Sequence, residues 1–523
     1  MTYRRRAVTT MSLILGWLVL FVADPYSTAN DKADLQAVTD QSLFPKAYGI
    51  LGNEQLMFPV DMSGWPAKIN ISHQLFVDDY LIASAENVWR TVHQAKKHEG
   101  NPIMVVDQPW EGMGPAWQPL IIRRDESTGR FRMWYAGGVH YTLPTGVAVR
   151  FPALYAESKD GITWKKLKLG LHEFNGSRAN NIVIPDGNFF GIIDEPDDPD
   201  PKRRYKGIVW HEPKTVPREG YFLYTSPDGI HWKREREEPL APSLNRYAMP
   251  QSGIGDTSIF RWDRRLGKYV GDVKFVLPGK MRCRGMMESD DLIHWTRPRM
   301  TLYPDAADDP DSQIYGQLSF CYESMWLSFV RVMHTERTPG YKQTPVELTA
   351  SRDGRHWTRV GNREEILSLG AETEWDPDYI DPARDPILLG DELWIYYRST
   401  RLRKNQPRQF AVGLAKIRRD GFVSLAAGQT PGVVTTRPLS FSGTRLFVNA
   451  GVSEGGSIKV ELLSRKNKPL QNYSLSDSIP ITTGAVKISV GWKQATEFQL
   501  PAGEDVCLRF ELENARLYSF WVE

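Results

Sequence analysis

Cysteine is almost missing from this chain: Cys283, Cys321 and Cys507 are the only three in 523 residues. Their odd number and wide scatter exclude a disulfide framework and show no metal-ligand spacing. Surplus charge is missing too. The 65 basic and 63 acidic residues leave a formal net charge of +2, which is no footprint for nucleic acid or for a polybasic membrane patch. Long helical periodicity is absent, which argues against a bundle. Beyond residue 23 no apolar run is long enough to span a bilayer. A chain of this length that relies on hydrophobic burial must divide into two or three domains.

Aromatics, glycine and proline are plentiful. The chain holds 17 Trp, 21 Tyr, 42 Gly and 35 Pro, a mixture that favours many short strands joined by tight turns. The N-terminus differs. Arg4, Arg5 and Arg6 precede "MSLILGWLVLFVA" (Met11 to Ala23), and small residues follow at Ser27, Thr28 and Ala29. A basic start, a short apolar run and a small-residue exit read as a signal peptide over residues 1–29. The expectation is a secreted or periplasmic protein, free of the membrane after cleavage, with an N-terminal extension over residues 30–65.

One seven-residue phrase recurs four times: "SKDGITW" at Ser158, "SPDGIHW" at Ser226, "SDDLIHW" at Ser289 and "SRDGRHW" at Ser351. The steps are 68, 63 and 62 residues, and a further 67 reaches the degenerate "RRDGF" at Arg418. A near-constant period marks a repeat architecture. Each copy follows three β-rich runs, as in "QPLIIRR", "FRMWYAGG" and "ALYAESKDGITW". Four antiparallel strands repeated radially make a propeller blade, and five units make five blades. Asp-Gly is hairpin chemistry, so the motif is a turn at the blade periphery rather than a reacting centre. The sequence thus predicts an all-β protein: a five-bladed β-propeller over residues 66–425, then a C-terminal β-sandwich over residues 426–523. "LFVDDYLI", before the first repeat, is expected to be a strand pair turning near Asp78 and Asp79, with an N-terminal strand closing the ring. The sandwich is read from alternating runs such as "SIKVELL" and "VCLRFEL".

A leader, five blades with S-x-D-G-x-x-W turns and a C-terminal β-region resemble the exported glycoside hydrolases of the families 32 and 43 superfamily. The "LFVDDYLI", "PWE", "MWY" and "SPDGIHW" stretches are also similar to those of an exported glycosyl hydrolase-like group. The resemblance implies cleavage of a glycosidic bond in an oligo- or polysaccharide, with a carbohydrate as the partner and no cofactor. The family 32 motifs W-[ML]-N-D-P-N-G and E-C do not occur here, and "RDP" at Arg384–Pro386 lies in the last repeat.

Glycoside hydrolysis needs two carboxyl groups flanking the glycosidic oxygen. In a propeller they come from the starts of the innermost strands. That search selects Asp256 in "SGIGDTSIF", Asp376 in "ETEWDPDYIDP" and Glu111 in "PWEGMGPAWQP" as catalytic candidates, with Asp378 and Asp381 also in reach. Trp117, Trp375, Asn180, Asn181, Arg282 and Tyr315 are the substrate-binding candidates, and Arg284, His140 and His334 stand near the same strands. Acid runs such as "PDAADDPD" (Pro304 to Asp311) lack ordered calcium-loop spacing, so no metal is assigned. Two other readings stay open: a glycan-binding propeller without catalysis, and a glycoside phosphorylase of the β-mannoside type, which needs basic side chains beside one acid.

Overall fold

The computed structural model describes residues 66–523 apart from 116–119, 144–145, 147, 150, 212–219, 243–253, 256, 278–280, 339–340, 402–409, 496 and 498–504. Among the described residues the chain is almost wholly β, and five antiparallel sheets follow one another in sequence order. The first blade is Ile121–Arg124, Phe131–Ala136, Ala153–Ser158 and Trp164–Lys166. The second is Asn188–Asp194, Tyr205–His211, Gly220–Ser226 and Lys233–Arg234. Ile259–Asp263, Lys268–Leu277, Met281–Ser289 and Arg299–Leu302 make the third. Ser312–Tyr322, Met325–Thr338, Val346–Ser351 and Thr358–Arg359 make the fourth. The fifth contains Tyr379–Pro382, Glu392–Thr400 and Ala411–Arg418.

The fifth blade takes its outer strand from the other end of the chain, Lys96–Lys97, which pairs with Lys416 and Ala415. Apolar seams join every neighbouring pair of blades and so close the ring. Trp134 and Tyr155 meet Phe189 and Val209 between the first two blades. Ile208 and Tyr221 meet Phe260 and Val273 in the next seam. Leu302 meets Ile314 and Val330 between the third and fourth. Leu327 meets Ile395, and Trp394 meets Phe131, in the last two.

The recurring heptapeptide is the turn that the sequence suggests. In the second blade the Gly229 N–H donates to Ser226 Oγ at 2.9 Å, and the Ile230 and His231 N–H groups both donate to Asp228 Oδ1 at 2.8 Å. The same bonds recur around Asp160, Asp291 and Asp353. Position four needs a positive φ, which Gly161, Gly229 and Gly354 supply freely and Leu292 adopts at +66°. The turns also bind the preceding blade: Trp134 Nε1 donates to the Gly229 carbonyl at 2.7 Å, and the Tyr396 hydroxyl donates to that of Gly161 at 2.9 Å.

The C-terminal region is all β. Its pairings form one ten-stranded hydrogen-bonded sheet, built on the long antiparallel pair Leu446–Ser464 and Val506–Val522. Residues 67–92 join this sheet rather than a blade. Ala67–Ile69 runs parallel to Leu439–Phe441, Gln74–Leu75 pairs with Val506–Val522, and Ile82–Glu86 pairs with Gly432–Thr436. The reason is apolar: Phe76 is fully buried and packs against Phe510 and Phe520. Asp78 and Asp79 are accordingly not the tip of a free hairpin. Asp78 is ion-paired with Arg352 of the fourth blade's turn at 2.8 Å, and Asp79 with Arg90.

Candidate active site

The axis of the ring is plugged. Leu120, Ile122, Phe190 and Ile259 meet Arg384 and Asp385 there around free space of about 10 Å³, room for roughly one water. The Arg384–Pro386 triplet is thus a cross-brace: the Arg384 guanidinium donates to the Phe260 carbonyl at 3.0 Å, and Asp385 pairs with Arg123 at 3.0 Å. The innermost strands all begin at one mouth of the ring.

At that mouth the fourth and fifth blades supply a connected polar cluster. Asp381, on the innermost strand Tyr379–Pro382, lies in register with Arg398 and is 1% exposed. Arg398 Nε donates to Asp381 Oδ2 at 2.8 Å, and Arg331 Nη1 lies 3.0 Å from the same oxygen. The Tyr379 hydroxyl accepts from Arg331 at 2.7 Å and from Arg398 at 3.2 Å, and stands 3.4 Å from that oxygen. Asp381 Oδ1 is buried with no hydrogen-bond partner among the described residues. Burial, reinforced by Asp381, raises the Tyr379 phenol above its ordinary range despite both arginines, so it stays neutral. Two guanidiniums thus converge on one oxygen of the Asp381 carboxylate.

Rings surround this charge. The guanidinium carbons of Arg331 and Arg282 lie 5.0 and 5.8 Å from the Tyr315 ring centroid. Tyr379 packs edge-on against Phe410 at 6.1 Å, with Met113 and Tyr315 beside them. Arg284, fully buried, donates to the Thr257 and Asp272 carbonyls of its own blade at 3.0 Å and reaches the Tyr315 carbonyl at 3.4 Å, tying the third blade to the cluster. Asp378, also 1% exposed, directly precedes the Asp381 strand, and its carbonyl accepts from the Thr344 N–H at 3.0 Å. A fixed ionised carboxylate can act as a base, a nucleophile or a stabiliser of positive charge, but not as a proton donor.

Of the residues singled out from sequence, Arg282 and Tyr315 belong to this cluster. Asp256 and Trp117 lie outside the described residues. Glu111 does not reach the mouth: its carboxylate accepts from Tyr135 and Lys166, each at 2.8 Å, and from the Asp107 and Gln108 N–H groups. With those acceptor sites filled and 1% exposure, it braces a loop. Asp376 pairs with Lys97 at 2.7 Å and accepts from the Tyr397 hydroxyl at 2.9 Å. Trp375 stacks on Tyr397 with centroids 5.5 Å apart, so both pin the ring-closing strand. Asn180 and Asn181 are buried turn residues bonded to backbone carbonyls. The following strand, Ile182–Ile184, belongs to the first blade, and the second begins at Asn188. His140 is exposed.

Arg331 and Arg398 are the members that sequence reasoning passed over. Their signal is a lone arginine inside an apolar strand, as in "LSFVRVM" and "WIYYRST", which is costly unless a buried anion awaits it.

No family model and no curated protein matches the sequence. Solved structures of similar form include a glycoside hydrolase family 43 arabinoxylan arabinofuranohydrolase from Bacillus subtilis, at 12% identity and TM-score 0.40, covering 82% of this chain and 99% of that one. A β-1,2-mannobiose phosphorylase from Listeria innocua matches at 14% and 0.41, covering 64% and 97%. An N-acetylgalactosamine deacetylase from F. plautii, in complex with blood group B trisaccharide, matches at 14% and 0.43, covering 63% and 96%. Likenesses of this size fix neither substrate nor catalytic residues.

Proposed function

We propose that the protein is an exported glycoside hydrolase that cleaves the end of an oligo- or polysaccharide at the strand-start mouth. The buried Asp381, gripped by two arginines with one oxygen unpartnered among the described residues, carries this reading. In it the Asp381 carboxylate stabilises positive charge at the anomeric carbon or drives the attack of water. Asp378 or Asp256 protonates the departing glycosidic oxygen. The C–O bond breaks, the water oxygen bonds to the anomeric carbon, and its proton passes to the base. The plugged axis favours a pocket that takes a chain end. Arg282, Tyr315 and Phe410 bind the sugar.

The test is turnover of an oligosaccharide panel by the secreted protein. Asp381→Asn is expected to lower kcat at least ~100-fold, whereas Glu111→Gln, where it folds, keeps kcat. Full activity in Asp381→Asn overturns the assignment, and glycan binding without turnover by the parent overturns the reaction. N-terminal sequencing of secreted material tests export, with a cut near Ala29 expected.

The arginine cluster favours a second reading, in which inorganic phosphate replaces water. Release of sugar 1-phosphate only in the presence of phosphate would establish that reaction instead.

A further inference from the structure

A second cluster sits on the fourth blade, on the same two strands that carry Tyr315 and Arg331. The acidic loop before this blade ends in Asp309 and Asp311, just ahead of Ser312, the first residue of its innermost strand. Ser312 pairs in register with His334 on the neighbouring strand. His334 Nδ1 lies 3.3 Å from Asp311 Oδ1, 3.6 Å from Asp309 Oδ2 and 3.5 Å from Ser312 Oγ. One ligand atom from each of His334, Asp309 and Asp311 falls within 4.8 Å of the other two.

These distances are long for hydrogen bonds, which favour about 2.9 Å, and a single Nδ1–H cannot serve three oxygens at once. They match the edges of a coordination polyhedron: ligands about 2.0–2.1 Å from a tetrahedral metal stand roughly 3.3 Å apart. The site is also built. The His334 side chain is 4% exposed and that of Asp311 is 11%. The second oxygen of Asp311 accepts from the Glu336 N–H at 2.6 Å, which orients the carboxylate as outer bonds do in metal sites. Asp309 is 54% exposed and leaves one side open to solvent. An acid-only loop would suit calcium, but a buried imidazole among carboxylates selects a transition metal.

We propose that Asp309, Asp311 and His334 bind one divalent transition-metal ion, zinc foremost, with a coordination position open to water. This site stands independently of the glycosidase reading. The loop gives no such signal by itself, because its third ligand arrives from the next strand, 23 residues beyond Asp311.

Calorimetric titration of the chelator-treated full chain with ZnCl₂, MnCl₂ and CaCl₂ tests it, together with the visible spectrum of bound Co²⁺. One equivalent of zinc is expected, and calcium is expected to bind far more weakly. His334→Ala should weaken zinc at least 100-fold and abolish the cobalt bands. Asp309→Asn, at an exposed position that spares the fold, should weaken zinc about 10-fold. His231→Ala and His294→Ala, at exposed turn histidines, should change nothing. Absence of stoichiometric zinc, or zinc binding unaffected in both His334→Ala and Asp309→Asn, overturns the site. Calcium binding that survives His334→Ala overturns the choice of metal.

Discussion

Asp228 and Asp353 each hold a turn by accepting two backbone N–H bonds and one from a histidine ring three residues on. Burial works against their charge, but these bonds win and lower both carboxyls to about 2. An unfolded aspartate titrates near ~3.9. A folded pKa below the unfolded one stabilises fully above pH ~4 and less as pH falls towards 2. Urea unfolding midpoints should therefore drop between pH 4 and 2, and Asp353→Asn should flatten that slope. Ser226 bonds the Gly229 N–H while 1% exposed, so Ser226→Ala should cost about 1–2 kcal/mol in urea titration. These roles are legible in the sequence because every partner lies within three residues. Glu111 and Asp376 are not, since Lys166 and Lys97 reach them from distant strands.

Among elements, the two-residue strand Lys96–Lys97 bears more than its length suggests. Lys97 pairs with the buried Asp376 at 2.7 Å, whereas Lys96 faces solvent beside Glu99. Lys97→Ala strands a buried carboxylate and should cost about 3 kcal/mol. Lys96→Ala should leave the urea midpoint within about 0.5 kcal/mol of the parent. The blade count follows from repetition, since spacing survives even where residues change, as Leu292 shows. "NNIVI" has a strand pattern, but its hydrogen bonds go back to Ala153 and Leu154 of the first blade, and pattern alone does not name a partner.

In the whole molecule, the worn fifth copy has become the joint between ring and C-terminal sheet. Asp420 is fully buried; it bonds His73 Nδ1 and Ser519 Oγ, each at 2.6 Å, and the Tyr322 hydroxyl at 2.8 Å. Losing the outer tryptophan freed that turn to face another layer. Asp420→Asn should cost about 3–5 kcal/mol, with hydrogen exchange rising first along residues 73–75 and 519–520. The joint escapes sequence reading because its members are up to hundreds of residues apart. The Asp381 cluster escapes in part for the same reason: Asp381 is visible as one of several acids, and only the fold brings Arg331 and Arg398 to it.

The strands from Ala67 to Val92 find their partners only between Val423 and Val522. During synthesis they emerge early and must wait, apolar and unpaired, until the last strand is made. Gln74 meets Phe520 only then. Such separation slows folding through the entropy of closing very long loops. Loss of residues 67–92 therefore leaves Val506–Val522 and Gly432–Thr436 without the strands that pair with them.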